Sequence, residues 1–440
     1  MHLRERIIRL QNERWENRLN RKGKRMTGGP VTSDPESIGT YRSRILDLFE
    51  TYVQVRARSH QMTQTFNLPP SFSLSNNAEE VIAFFHEIIR YSRQSKVPKL
   101  VLDHRPVRYL GLAADSILGV ILKEISLEIR HIRGAYIRGY KPKDARIRNM
   151  MDEVGCVRVL NAGVEEDIKV SMQPGSKAFR HQNRGKALTV VGHVLDQRSQ
   201  TCAEFADHLN ACLMARGMKL KSEARADLLT YVGEILDNAQ THSGLAHWVI
   251  VGFIDLDDND FVYKCTITSF GNSIADTFLL LDRGSFAWTS VEPYLLQHKK
   301  SGLFSGEWRE EDLLAVMALQ GDISSINTSA ETNRGQGTVD FIEFFQGLTE
   351  EAALKKKSVT MTIVSGSTLI HFDGRYKMIF NPALARSVIA FNATNDLLGK
   401  PDGTAVRSLS KANFPGVVIS IAAPLGSGDV EPVNLEQAGV

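Results

Sequence analysis

The sequence has no CxxC pair. Its four cysteines, Cys156, Cys202, Cys212 and Cys265, stand at no spacing that suggests zinc ligation or a disulfide framework. Four reduced, buried thiols in a cytoplasmic protein are expected instead. Long hydrophobic runs are also missing. No stretch reaches the ~18 apolar residues that a membrane helix needs, and the first residues are charged where a secretion signal would be apolar. Excess charge of one sign is missing too. Lysine and arginine number 53 against 50 aspartates and glutamates, so the whole chain does not read as a nucleic-acid binder.

What is present is enough apolar sequence for more than one core. The 440 residues suit about three domains at ~150 residues each. Basic charge gathers only at the start. Arg4, Arg6, Arg9, Arg14, Arg18, Arg21, Lys22, Lys24 and Arg25 outnumber Glu5, Glu13 and Glu16 there. Leu3, Ile7, Leu10 and Trp15 fall on one stripe, which predicts a helix over 1–22 followed by a linker at Gly28–Pro30. Such a helix either packs its stripe on the body or serves as an arm for nucleic acid, an acidic partner or a membrane surface. Helices are predicted over 41–62 and 77–92, the second opened by Asn77 and Glu80 at capping-box spacing.

From residue 96 the period changes. Strands are predicted at 99–103, 135–140 and 156–160. Helices at 110–130 and 144–155 separate them, the second ended by Gly155. Alternating elements of this kind imply a small α/β unit. Leu100–Leu160 resembles the STAS-like domains of anti-sigma-factor antagonists. It shares a strand ending in Asp103, a long apolar helix and Gly155 before the next strand. In that family a serine near the helix start is phosphorylated. Ser116 lies too far into the helix for that role to carry over.

The strongest chemical signal is EARADLLTYVGEILDNAQTHS at 223–243. Leu228, Leu229, Val232, Ile235, Leu236 and Ala239 form a stripe of period 3.6. Glu234 and Asn238 are four apart and share a face, which His242 extends by a turn. After it, VYKCTITSFGNSI (262–274) reads as a strand running into a turn. NRGQGTVDFIEFF (333–345) reads as a glycine-containing loop before an apolar helix. The segments 360–372 and 414–424 read as paired strands. The acidic run at Asp255, Asp257, Asp258 and Asp260 lacks the glycine and final glutamate of an EF-hand and reads as a hairpin turn.

In this order, residues ~200–425 resemble the Bergerat-fold ATPases of DNA gyrase, histidine kinases and anti-sigma-factor kinases. The resemblance implies a two-layer α/β sandwich that binds ATP and Mg²⁺. Asn238 would be the magnesium ligand and Glu234 the catalytic base. His242, Ser269, Gly271, Ile274, Arg334, Gly335 and Gly337 would line the nucleotide site. Residues 283–333 would form the lid. They include Phe286, Trp288, Phe304 and Trp308, which read either as packing residues or as a docking surface.

Three positions depart from the family. Ser269 stands where its adenine-binding aspartate would be, and Val417 replaces a threonine after Gly416. Ser273 takes the place of the second glycine. The expected organisation is a helical segment at 1–95, a STAS-like domain at 96–195, the ATP-binding domain at 200–425 and a flexible tail at 426–440. By analogy, the implied function is an ATP-hydrolysing switch in bacterial signalling, stress response or phage defence, working with a protein partner. A homo-oligomer is a further candidate. The alternatives are a serine kinase of anti-sigma type and a non-catalytic nucleotide sensor.

Overall fold

The computed structural model describes residues 41–50, 63–161, 176–184, 197–256, 261–321, 323, 336–354, 357–424 and 430–433. The predicted helix over 1–22, Arg334 and Gly335 lie outside them. So do residues 51–62 of the second predicted helix and most of the acidic turn.

The chain is a mixed α/β protein. Its first unit is a parallel three-stranded sheet of β1 (Gln64–Asn67), β2 (Lys99–Asp103) and β3 (Tyr136–Tyr140), with β2 in the middle. Helices α1 (Arg44–Glu50), α2 (Leu74–Gln94), α3 (Leu112–Ile129), α4 (Ala145–Glu153) and α5 (Cys156–Asn161) accompany it. The boundary expected at residue 95 cuts through this unit, because β1 pairs with β2 and α2 connects them. Helix α2 also starts a turn before the predicted cap. Ser73 is its N-cap, and Asn77 is a non-helical kink at φ −146° whose amide donates to Glu80.

The strand expected at 156–160 is the helix α5. Cys156 and Val159 are buried, and Val157 and Leu160 pack on the same core, as a one-sided helix requires. Its amide start is held by the Asp115 carboxylate, Cys156 N to Oδ2 at 3.3 Å. Gly119 lets α5 cross close to α3, since a Cβ there would lie 3.0 Å from the Cys156 Cα. Gly155 likewise ends no helix by a left-handed turn. It makes room for Asp115, whose Oδ2 would be 1.7 Å from an added Cβ.

The second unit is a seven-stranded antiparallel sheet. Its strands are β4 (Ser176–Arg184), β5 (Gly244–Asp255), β6 (Val262–Gly271), β7 (Thr360–Gly366), β8 (Thr368–Phe372), β9 (Val406–Ser408) and β10 (Phe414–Pro424). Their order is β9-β8-β7-β10-β6-β5-β4. The strands on either side of the acidic run pair as the β5–β6 hairpin, and the paired strands expected at 360–372 and 414–424 are β7, β8 and β10. One face carries helices from the same half of the chain: α6 (Gln197–Met214), α7 (Ser222–His242), α8 (Ile274–Leu279), α9 (Phe286–Lys300), α10 (Glu310–Met317) and α11 (Gln336–Leu354).

The other face is covered by the first unit. Val249, Val251, Phe253, Phe270, Val364, Phe414 and Val418 share one core with α1, α2 and α3. Helix α3 is therefore buried on nearly every side, which explains its almost uninterrupted apolar sequence. Arg180 of β4 joins the two units, donating to Ser116 Oγ at 3.0 Å. Ser116 itself is fully buried. Within the segment expected as a flexible tail, Val430–Pro432 pairs antiparallel with Met218–Leu220.

Candidate functional site

Helix α7 meets the sheet with a stripe that is only partly sealed. Val232, Leu236 and Ala239 are buried, while Leu228, Leu229 and Ile235 stay half-exposed. Two neighbouring spaces beneath the helix account for this. The smaller, about 120 Å³, is apolar and lies between α6, α7 and α11, with Leu228, Tyr231, Phe344 and Ile421 on its wall. The larger, about 430 Å³, lies between α7, α8, the start of α11 and the sheet. That size is within the ~300–1,000 Å³ usual for small-molecule sites.

The larger cavity has one polar wall and one apolar floor. Glu234, Asp237, Asn238 and His242 line it from α7. Ile267, Ile363, Val417 and Ile419 floor it from the central strands. Ser269, Asn272, Ser273, Ile274 and Thr277 close it at the end of β6 and along α8, and Thr338 reaches it from α11. The side chains of Glu234 and Asn238 make no hydrogen bond or ion pair among the described residues. Asp237, by contrast, pairs with Arg198. No lysine or arginine is among the described lining residues.

Two glycines fix the geometry at the end of β6. Gly271 has φ +133°, and a Cβ there would sit 1.7 Å from the Ser243 carbonyl oxygen. The next amide, Asn272 N, donates to that same oxygen at 2.8 Å, and Asn272 Nδ2 donates to the His242 carbonyl at 3.3 Å. The end of α7 is thus stitched to the end of β6 through a contact only glycine permits. Gly416 has φ +137°, and its absent side chain lets β10 pass Ser269, whose carbonyl would be 2.0 Å from a Cβ.

Ser273 has a structural task of its own. It caps α8: its Oγ accepts from Asp276 N at 3.1 Å, and Asp276 Oδ2 accepts from Ser273 N at 2.9 Å. Ile274 N donates to Ser365 Oγ at 2.8 Å, which ties α8 to the β7–β8 turn.

Six of the nine residues marked from sequence therefore line or shape one place. Glu234, Asn238, His242, Ser269 and Ile274 line the cavity, and Gly271 holds its edge. Gly337 falls in the first turn of α11, beside Thr338. Sequence reasoning missed Asp237, Asn272, Thr277 and the isoleucine floor. Ser273-x-x-Asp276 was legible as a capping box. Nothing local marked Thr277.

The expected lid is partly core. Trp288 and Trp308 are buried, and α9 and α10 pack with α8 and α11. His298 of α9 is held in place, accepting from Trp308 Nε1 at 3.1 Å on Nδ1 and meeting the Leu397 carbonyl at 2.8 Å through Nε2. Lys299 and Lys300 are exposed at the end of α9.

Among the described residues no helix is long and apolar enough to cross a membrane. No protein-family model, curated protein or solved structure matches the chain.

Proposed function

We propose that residues ~200–425 form a nucleotide-binding module of Bergerat type, and that the larger cavity takes a purine nucleotide, ATP foremost, together with Mg²⁺. One observation carries the reading. Glu234 and Asn238, a helical turn apart and without partners among the described residues, face the same cavity as Ser269 and Ile274. The base would lie on the isoleucine floor, where flat apolar surface is available. Polyphosphate beside Glu234 would meet like charge, which a divalent ion between them would offset. Magnesium accepts few protein ligands and keeps its waters, which suits a single amide oxygen from Asn238.

In this reading Glu234 orients or deprotonates the attacking water. Arg334, Gly335, Gly337 and the first amides of α11 contact the phosphates. Hydrolysis would then switch contacts with a protein partner. A role in bacterial signalling, stress response or phage defence follows from the resemblance alone.

Calorimetry tests the binding step. Wild type should bind ATP in a magnesium-dependent way, and Asn238→Ala should lose at least about tenfold in affinity, about 1.4 kcal/mol. Equal affinity with magnesium present would remove the ligand role. Glu234→Gln should keep binding and lower phosphate release about 10²–10⁴-fold. Turnover at the wild-type rate would leave Glu234 a helix-surface residue. A second reading, a nucleotide sensor without hydrolysis, is favoured by Ser269 and Val417, which supply less polar recognition of the base. Binding without any phosphate release would select it.

A further inference from the structure

Away from the cavity, three side chains with metal-binding atoms meet in the interior of the first unit. His104 follows β2, Asp115 lies in the first turn of α3 and Cys156 opens α5. Their nearest ligand atoms all lie within 4.8 Å of one another. All three residues are buried, Asp115 completely. Cys156 Sγ is 3.8 Å from His104 Nε2, and Asp115 Oδ2 is 3.3 Å from Cys156 N. The other oxygen, Asp115 Oδ1, is buried and makes no hydrogen bond among the described residues. A carboxylate oxygen left without a donor in a closed interior marks a place for one more electropositive atom.

We propose that His104, Asp115 and Cys156 form a binding site for a thiophilic divalent cation of the zinc class. The donor set decides the class. Thiolate sulfur and imidazole nitrogen suit zinc, whereas magnesium and calcium take oxygen almost exclusively. The spacing agrees, since tetrahedral zinc with usual bond lengths holds nitrogen and sulfur about 3.6 Å apart. The charges agree as well. One thiolate and one carboxylate neutralise a 2+ ion, so the loaded cluster buries no net charge of its own.

The absence of a CxxC pair hid this site, because its ligands come from three elements spread over 53 positions, from His104 to Cys156 counting both ends. A cation there would pin the end of β2, the start of α3 and the start of α5 together. Arg180 of the seven-stranded sheet ends beside it, at Ser116 and the Val154 carbonyl.

The test uses the full chain produced in zinc-supplemented medium. One equivalent of zinc per chain is expected. Exchange for Co²⁺ should give tetrahedral d–d bands and a thiolate-to-cobalt charge-transfer band, which an oxygen site at Asn238 cannot produce. C156S should lose the band and weaken zinc binding more than about tenfold. C202S, which changes a buried cysteine outside the cluster, should keep both. Wild-type protein without zinc and without the thiolate band overturns the proposal, whether or not C156S folds. A band that persists in folded C156S overturns it too.

Discussion

The two faces of the seven-stranded sheet are built by the same strands and end up different. In β5, Val249, Val251 and Phe253 point to α2 and α3, while Trp248, Ile250 and Ile254 point to α6 and α7. Both sets are sealed. In β10 the faces diverge: Phe414 and Val418 are 0% and 1% exposed, whereas Val417, Ile419 and Ile421 are half-buried. Ser420 and Ala422, further along the strand, are half-buried as well, so the contrast belongs to its first half. The covering helices are its cause. Helix α3 is apolar nearly all round and lies flat on the sheet. Helix α7 turns Glu234, Asp237 and Asn238 toward the space over β10. Closing down on the sheet would bury the Glu234 and Asn238 side chains without partners, at a cost of roughly 1–3 kcal/mol for the amide and more for the charged carboxylate. The helix stands off, and the cavity is the consequence. A tight face and an open face teach where stability and ligand binding reside.

The largest effect that separates the faces should come from truncating one residue on each. Phe414 packs against Phe49 and Phe270 at ring distances of 5.9 and 5.8 Å. Phe414→Ala should destabilise by about 3–5 kcal/mol. Ile419→Ala removes methylenes already half-exposed and should cost only about 1 kcal/mol. Urea midpoints with unchanged slopes measure both. Equal losses would mean that the open face is closed in solution and that the cavity argument fails.

A smaller effect belongs to the cavity side alone. His208 of α6 is buried against Phe179 and Tyr263, at 5.5 and 5.8 Å, and its Nε2 is 3.6 Å from Cys212 Sγ. Burial, with a lesser contribution from the charge of Lys177, pulls its pKa down to about 4. The unfolded imidazole takes its proton near pH 6.5. Between those values the unfolded chain binds more protons, so acid favours unfolding. Stability from this group is complete above pH 6.5 and is lost as pH falls toward 4, by up to about 1.4 kcal/mol per pH unit. His208→Gln should flatten the fall in stability from pH 6.5 to 4.5 by about that amount. An unchanged slope would show that water reaches the ring.

How much of this was legible depends on the range of the interactions. Helix α7 was readable because its stripe and its Glu234–Asn238 pair lie within one element. The β5–β6 hairpin was readable because its turn is local. Cys156–Leu160 misled because five apolar-rich residues fit a strand or a helix equally well. Only the Asp115 carboxylate, 41 positions away, holds the amide start of the helix. Gly271 and Gly416 were visible as glycines, but their function is close passage of backbone at Ser243 and Ser269, which no spacing reveals. The packing of α3 on the seven-stranded sheet was foreshadowed by its apolar sequence, and the identity of what covers it was not.

The smallest expected effect concerns the base end of the open face. Ser269 sits between Trp248 and Val417 in the sheet and is 5% exposed, with its side chain on the cavity. An aspartate at this place would accept from an adenine amino group and repel a guanine carbonyl. A hydroxyl does neither strictly, because it both donates and accepts. Ser269 should therefore give weak preference, and Ser269→Ala should change the ATP-to-GTP affinity ratio by less than about tenfold. A neutral hydrogen bond contributes only about 0.5–1.5 kcal/mol. Phosphate anchoring at Asn238 should be untouched, since that residue lies on the opposite wall of the cavity, on α7. Competition of ATP against GTP in wild type and variant measures this. A strong ATP preference that survives Ser269→Ala would move base reading to other lining groups, Asn272 or Thr277, and would detach the end of β6 from the role its position suggests. A ratio near one in both proteins would mean that the open face distinguishes ligands by their phosphates alone.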